Sequence, residues 1–203
     1  MITFYTHPQS RGRIARWMLE ELAQPYDTVV LDYRSTMKAP DYLALNPMGK
    51  VPCIVHDGRV VTETPAILTY LADAFPQAGL IPDDRAALYR WMFFGAGPFE
   101  AAIVDKALGV QVAPEQTGFV GYGNLDRVLD TLEAQLSARD WLAGDRFSAA
   151  DLYLGSQIGY GLRFNSVPAR PAFTAYWDRM KDRPALLRAN AIDNALLEGA
   201  AHG

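Results

Sequence analysis

Ile2-Thr3-Phe4-Tyr5-Thr6 is a run of β-branched and aromatic residues that predicts a short strand. After the loop His7-Pro8-Gln9 the apolar spacing changes. Ile14, Trp17, Met18, Leu19 and Leu22 recur at helical steps, which predicts a helix capped by Ser10 and running to about Leu22, where Gln24-Pro25 ends it. Tyr26 to Asp32 returns as a strand. Ala39-Pro40-Asp41 starts a short helix carrying Tyr42, Leu43 and Leu45. Pro52 to His56 and Arg59 to Thr62 flank Asp57-Gly58, a strong short-range hairpin signal, and a helix is predicted from Pro65 to about Phe75. Phe75-Pro76-Gln77-Ala78-Gly79-Leu80-Ile81-Pro82 then interrupts the pattern with two prolines and a glycine. Beyond Asp83 the strand signals stop. A long helical stretch to about Leu108 is disturbed by Gly95, Gly97 and Pro98, and Gly109 to Gly123 is irregular. Leu125 to about Ala138 is amphipathic, and Ser148–Tyr160, Pro171–Arg183 and Pro184–Leu197 are three more predicted helices.

The first part therefore reads βαβ, hairpin, helix. That is the order of a thioredoxin-like domain, with the first two strands parallel across a right-handed crossover. The expected architecture is an α/β thioredoxin-like amino-terminal domain over residues 1–76, a linker at 77–82, and an all-α domain over 83–203.

Composition narrows the chemistry. Of 203 residues, half are hydrophobic and a fifth charged, an ordinary globular balance. A formal net charge of −4 argues against a nucleic-acid partner. Arg11, Arg13 and Arg16 form the one local basic cluster noted; Arg13 and Arg16 are expected in surface or interdomain ion pairs. The single cysteine, Cys53, excludes an intrachain disulfide framework and any Cys-rich metal site, and is expected as a small buried hydrophobe. Met1-Ile2-Thr3-Phe4-Tyr5 has no basic leader before a long apolar core, and no apolar run reaches membrane-spanning length, so a cytoplasmic protein is expected.

Two motifs carry candidate binding chemistry. In Asn46-Pro47-Met48-Gly49-Lys50-Val51-Pro52, Val51 is held extended by the following proline. With a cis Val51–Pro52 bond, Val51 turns its N–H and C=O outward to pair with an extended ligand as one more strand. In Glu63-Thr64-Pro65-Ala66-Ile67, Thr64 at the N-cap and Pro65 at the first helical position start a helix whose free N–H groups suit a carboxylate. Glu63 beside them can hold an ammonium. A ligand with an amine and a carboxylate at one end and an extended amide backbone behind them fits, and glutathione is such a ligand.

Val51-Pro52, Glu63-Thr64 and the order of elements resemble the amino-terminal domain of cytosolic glutathione transferases. In that family the residue before a cis-proline pairs with the cysteinyl backbone of glutathione, and an acidic–hydroxyl pair at the next helix start binds the γ-glutamyl end. Phe147-Ser148-Ala149-Ala150-Asp151-Leu152 forms a capping box with staple positions at Phe147 and Leu152, and resembles the carboxy-terminal domain of the same family. The resemblance covers essentially the whole chain.

The resemblance implies a glutathione thiolate near neutral pH, which needs a donor or a positive field because a free thiol titrates at about 8.5. In this fold the first helix points its amino terminus at the cysteinyl sulfur. Tyr5-Thr6-His7-Pro8-Gln9-Ser10 resembles the glutaredoxin strand and loop, with Ser10 where that family has its nucleophilic cysteine. Ser10 is the expected thiolate donor, or only a helix cap; Thr6, His7 and Gln9 are further loop donors. Tyr5 is the alternative, since other branches use a tyrosine near the end of the first strand; strand alternation instead sends Tyr5 to the core. The bacterial cysteine-bearing branch has a cysteine in this loop and this chain has serine, which argues against a mixed disulfide on the protein. Arg11 either adds positive potential or binds a ligand carboxylate, or is a solvated first-turn residue. Lys50, and behind it Lys38, are candidates for the glycyl carboxylate.

The second substrate is expected in a cleft between domains, lined by one or two of Trp91, Phe93, Phe94, Phe99, Tyr160, Phe164 and Trp177. Glu100 and Asp105 are candidates to approach a neighbouring subunit's ligand. The expected activity is a glutathione transferase adding the thiol to a small apolar electrophile or reducing a peroxide. Glutathione would serve as co-substrate with no further cofactor, in a homodimer that binds neither nucleic acid nor membrane. The alternatives are a non-catalytic binding or regulatory protein of the same fold, or a glutathione-dependent isomerase or dehalogenase.

Overall fold

The computed structural model describes residues 1–200. Its contacts divide into two compact units. The first is Met1–Ala78 together with the chain from Asp182 onward, and the second is Gly79–Lys181.

The first unit is built on a four-stranded mixed sheet of β1 (Ile2–Thr6), β2 (Tyr26–Val30), β3 (Cys53–His56) and β4 (Arg59–Thr62), in the order β2-β1-β3-β4. β1 and β2 are parallel; β1–β3 and β3–β4 are antiparallel. Strand alternation separates two faces. Ile2 and Phe4 are buried on one face with Ile14, Trp17, Met18, Leu19 and Leu22 of α1 (Gly12–Leu22) and Ile67, Leu68 and Leu71 of α3 (Thr64–Ala74). On the other face Leu31, Met37, Tyr42 and Cys53 form a smaller core against Tyr5, Val29, Leu45 and Val51, with Tyr42 and Leu45 supplied by α2 (Pro40–Leu45).

The last helix, α9 (Pro184–Ala200), belongs to this first unit rather than to the helical half in which the sequence analysis put it. It lies along α1. Arg16 and Asp193, 1% and 0% exposed, meet at 2.8 Å. Arg16 therefore forms its expected ion pair with α9, in the core and not at the surface. Its Nη1 donates to Tyr26 Oη and Thr28 Oγ1, and its guanidinium lies 5.1 Å from the Phe4 ring centre. Around it, Arg183 grips Glu21 with two bonds of 2.7 and 2.9 Å, and Arg188 reaches Glu20 at 3.0 Å. A charge this deep persists only with partners on most of its donors.

The second unit is helical: α4 (Arg85–Phe94), α5 (Glu100–Leu108), α6 (Leu125–Ala138), α7 (Ala149–Arg163) and α8 (Pro171–Asp178). The disturbance expected at Gly95, Gly97 and Pro98 is one π turn over Gly95–Phe99, which accommodates the proline without stopping the helix. The capping box is present. Asp151 accepts from Ser148 N, Ser148 Oγ, Leu142 N and Tyr176 Oη at 2.7–2.9 Å, so a fully buried carboxylate is satisfied on all sides. Of the aromatic residues expected near a pocket, Trp91 and Phe99 are core, whereas Phe93, Tyr160 and Phe164 are exposed.

Candidate active site

Strand register brings the candidate residues to one end of the sheet. Tyr5 pairs with Cys53, Cys53 with Thr62, and Thr6 with Val30. The turn leaving β1, the segment leaving β2, the Val51-Pro52 entry to β3 and the Glu63-Thr64 exit from β4 therefore share an edge. Ser10 and Arg11 lie on the first of these, Lys38 on the second, Lys50 before the third.

The loop after β1 is tied down by its own polar groups. Ser10 Oγ donates to His7 O at 2.6 Å and accepts from Gly12 N at 2.9 Å. Gln9 N donates to His7 Nδ1, and Arg13 Nε to Pro8 O at 2.6 Å. Arg13 continues to Asn194 Oδ1 at 2.8 Å and Asn190 Oδ1 at 3.4 Å on α9, so it braces the loop instead of forming the expected ion pair. The helix begins one residue later than expected. Arg11 occupies the N-cap without a capping side chain, and Ser10, just before it, still satisfies the first helical N–H. The amino end of α1 thus faces the loop with Ser10 as its side-chain hydroxyl.

Gly12 makes this approach possible. A methyl group there would stand 2.0 Å from Thr6 Oγ1 and 2.9 Å from Ser10 Oγ. No residue with a side chain fits without moving one of them.

The Val51–Pro52 peptide is cis. The segment before it is held by inward-facing carbonyls. Lys50 O accepts from Tyr42 Oη and, at 2.8 Å, from Asn46 Nδ2; Gly49 O accepts from Lys38 Nζ at 2.6 Å. Gly49 has φ +57°, and a Cβ there would lie 2.7 Å from Lys38 Nζ. Lys50 points its side chain to solvent, while part of Lys38 is used inside the loop. At the start of α3 the cap is Glu63, and Thr64 is the first helical residue; the sequence analysis had set both one position later. Glu63 is exposed, makes no capping bond, and has φ +66° and ψ +120°. A non-glycine residue in this region costs on the order of 1–3 kcal/mol, and such strain concentrates where a backbone meets a ligand.

Tyr5 is half-buried in the smaller core, its ring 5.6 Å from that of Tyr42. Cys53 is fully buried beside it, and burial pushes its thiol up to about 11, so it is no nucleophile at neutral pH. Tyr33 was missed by sequence reasoning. It is 43% exposed, its ring centre is 4.3 Å from that of His7, and its hydroxyl donates to Gln9 O at 3.0 Å. Burial raises the Tyr33 phenol pKa while the neighbouring Ser10 hydroxyl opposes the rise, so Tyr33 remains a neutral donor. No local pattern marks it; only the parallel pairing of β2 with β1 brings it to this edge. Among the described residues no cluster of three or more His, Cys, Asp or Glu is placed to hold a metal ion, and no helix is long and apolar enough to cross a membrane.

Residues 11–74 match the family profile described as glutathione S-transferase, N-terminal domain, and residues 113–184 that of the C-terminal domain. Glutathione S-transferase GST-4.5 of Xanthomonas campestris pv. campestris is 31% identical across 93% of this chain and 98% of its own length. The chain belongs to the glutathione S-transferase family. Solved structures agree. A glutathione transferase from Methylococcus capsulatus is 30% identical with a TM-score of 0.78, covering 96% of this chain and all of its own. A sphingomonad glutathione S-transferase complexed with glutathione is 31% identical with a TM-score of 0.76, covering 95% of this chain and 98% of its own. The thioredoxin-like sheet and helical second unit are this family's fold.

Proposed function

We propose that the protein is a glutathione transferase that activates the glutathione thiol at Ser10. The thiolate then attacks a small apolar electrophile or reduces a peroxide. The observation that carries this reading is the convergence of Ser10, Val51-Pro52 and Glu63-Thr64 on one end of the sheet.

The Val51 peptide pairs with the cysteinyl backbone of glutathione as an added strand. Glu63 receives the γ-glutamyl ammonium, and the uncapped start of α3 receives the carboxylate of the same end through free N–H groups. Lys50, Arg11 and Lys38 are the candidate cations for the glycyl carboxylate. This arrangement aims the sulfur at the loop after β1. There Ser10 turns its proton from His7 O to the sulfur, and the amino end of α1 adds a positive field. Both favour the thiolate over the thiol, whose proton leaves to solvent. Serine donates here and forms no covalent bond, consistent with a loop that lacks cysteine and a Cys53 that is buried. The assembly is proposed to be a two-fold homodimer.

Calorimetry with glutathione tests the reading. Binding with a Kd on the order of micromolar to millimolar is expected, together with conjugation of a chlorodinitroarene. Absence of both heat and a thermal shift at saturating glutathione refutes it.

A further inference from the structure

Thr6 ends β1 and is 0% exposed, yet its hydroxyl has no hydrogen-bond partner among the described residues. A buried hydroxyl without a partner loses its hydration for nothing, and an isosteric valine would avoid the loss. The Thr6 hydroxyl oxygen lies close against Gly12. The point 2.0 Å from Thr6 Oγ1 and 2.9 Å from Ser10 Oγ is the same point, the missing Cβ of Gly12. Two hydroxyls thus converge under the first turn of α1, with only a glycine between them.

Ser10 Oγ has one proton and two lone pairs. In the structure the proton goes to His7 O, and Gly12 N–H fills one lone pair. The Tyr33 hydroxyl, which also neighbours Ser10, gives its proton to Gln9 O.

We infer that Thr6 is a positioning residue for Ser10, donating its hydroxyl proton to Ser10 Oγ when Ser10 turns toward the glutathione sulfur. The inference rests on the transferase reading of the site. Thr6 does not touch the sulfur. In the activated arrangement Ser10 accepts from Gly12 N–H and Thr6 O–H and donates to the thiolate. A hydroxyl that accepts strongly donates more strongly, because successive hydrogen bonds polarise one another. No proton changes owner between side chains: Thr6 and Ser10 stay neutral, and the thiol proton leaves to water. The Thr6 hydroxyl gains its partner only when the thiolate is present, so the contact acts on activation more than on binding.

The test uses Thr6→Val, which keeps volume, Thr6→Ala, which adds no bulk against Gly12, and Thr6→Ser, which keeps the hydroxyl. The thiolate absorbance of bound glutathione is titrated against pH, glutathione affinity is measured by calorimetry, and melting is recorded without ligand. Val and Ala are expected to raise the apparent pKa of the bound thiol by about half a unit, a roughly threefold loss of thiolate near neutral pH. Affinity should stay near that of the parent, Thr6→Ser should restore the titration, and Thr6→Val should melt no lower than the parent. A parent protein that binds glutathione, with Val and Ala titrating as it does, overturns the inference alone. So does a Thr6→Ser variant that titrates like Thr6→Val. A parent that fails to bind glutathione overturns the transferase reading and this inference with it.

Discussion

Replacing Asp193 by alanine removes the carboxylate bonded to the Arg16 side chain, which is 1% exposed in the intact protein. The remaining partners, Tyr26 Oη and Thr28 Oγ1, are neutral and bind only Nη1. Breaking a buried pair from one side costs about 3–5 kcal/mol, because the surviving charge is left uncompensated. The two neutral bonds and the Phe4 ring argue for the lower end, about 3 kcal/mol. At roughly 2–4 °C per kcal/mol for a chain of this size, the melting temperature should fall by about 6–12 °C. Urea unfolding followed by circular dichroism measures the loss directly. The double variant Arg16→Met with Asp193→Leu should recover most of it, since removing both charges together leaves neither stranded. The reasoning fails if Asp193→Ala costs under about 1 kcal/mol, or if the cycle of the two single and double variants shows no coupling.

Three further outcomes follow from the same geometry. Ser10→Ala should raise the thiol pKa of bound glutathione and lower turnover by roughly one to two decades, the worth of one donor to an anion at about 1.5–3 kcal/mol, while affinity changes little; an unchanged titration would leave Ser10 a helix-start residue and direct attention to Tyr5. Gly12→Ala, which in an exposed helix would stabilise by up to ~1 kcal/mol, should here destabilise by about 1–3 kcal/mol because its methyl overlaps Thr6 Oγ1, and equal or higher stability in urea would contradict the packing. Stability should also decline with rising pH between about 8.5, where an unfolded cysteine titrates, and about 11, to which burial lifts Cys53. In that window the unfolded chain has released a proton that the folded one keeps. Burial lifts Tyr42 as well and extends the decline. Cys53→Ala should flatten the lower part, and urea midpoints at several pH values would show whether it does.

The parts of the fold that were legible are those written in local spacing. The stripe Ile14-Trp17-Met18-Leu22 and the box Ser148–Asp151 involve residues three or four apart, and helix geometry alone makes them neighbours. Val51-Pro52 and Glu63-Thr64 were readable because proline and capping restrict the backbone where they stand. One-residue slips at Ser10 and Glu63 came from judging caps by residue type, when the positive φ of Glu63 decides the helix start. For Arg16 a surface or interdomain ion pair was expected but its burial was not, because a charged residue on a helix says nothing of the surroundings of a partner 177 positions away. Tyr33 was invisible for a related reason, and Thr6 was readable only as one of several donors near the loop. Their roles come from strand register, and register is a property of pairs of segments.

That α9 completes the first unit also sets an order of events for the growing chain. The strands and α1 are made first, but the carboxylate that meets Arg16 comes 177 residues after it, beyond the whole of the second unit. Until then the guanidinium has no charged partner and the face of α1 toward α9 stays wet, so the amino-terminal unit cannot reach its full stability during synthesis. The second unit is one continuous stretch, Gly79–Lys181, and is made in full before Asp193. The half made second is thus the half free to finish first, against the usual amino-to-carboxy sequence of domain folding. Moving the segment that runs from Asp182 through α9 to the amino-terminal side of β1 would turn the first unit into a single uninterrupted segment and remove that wait.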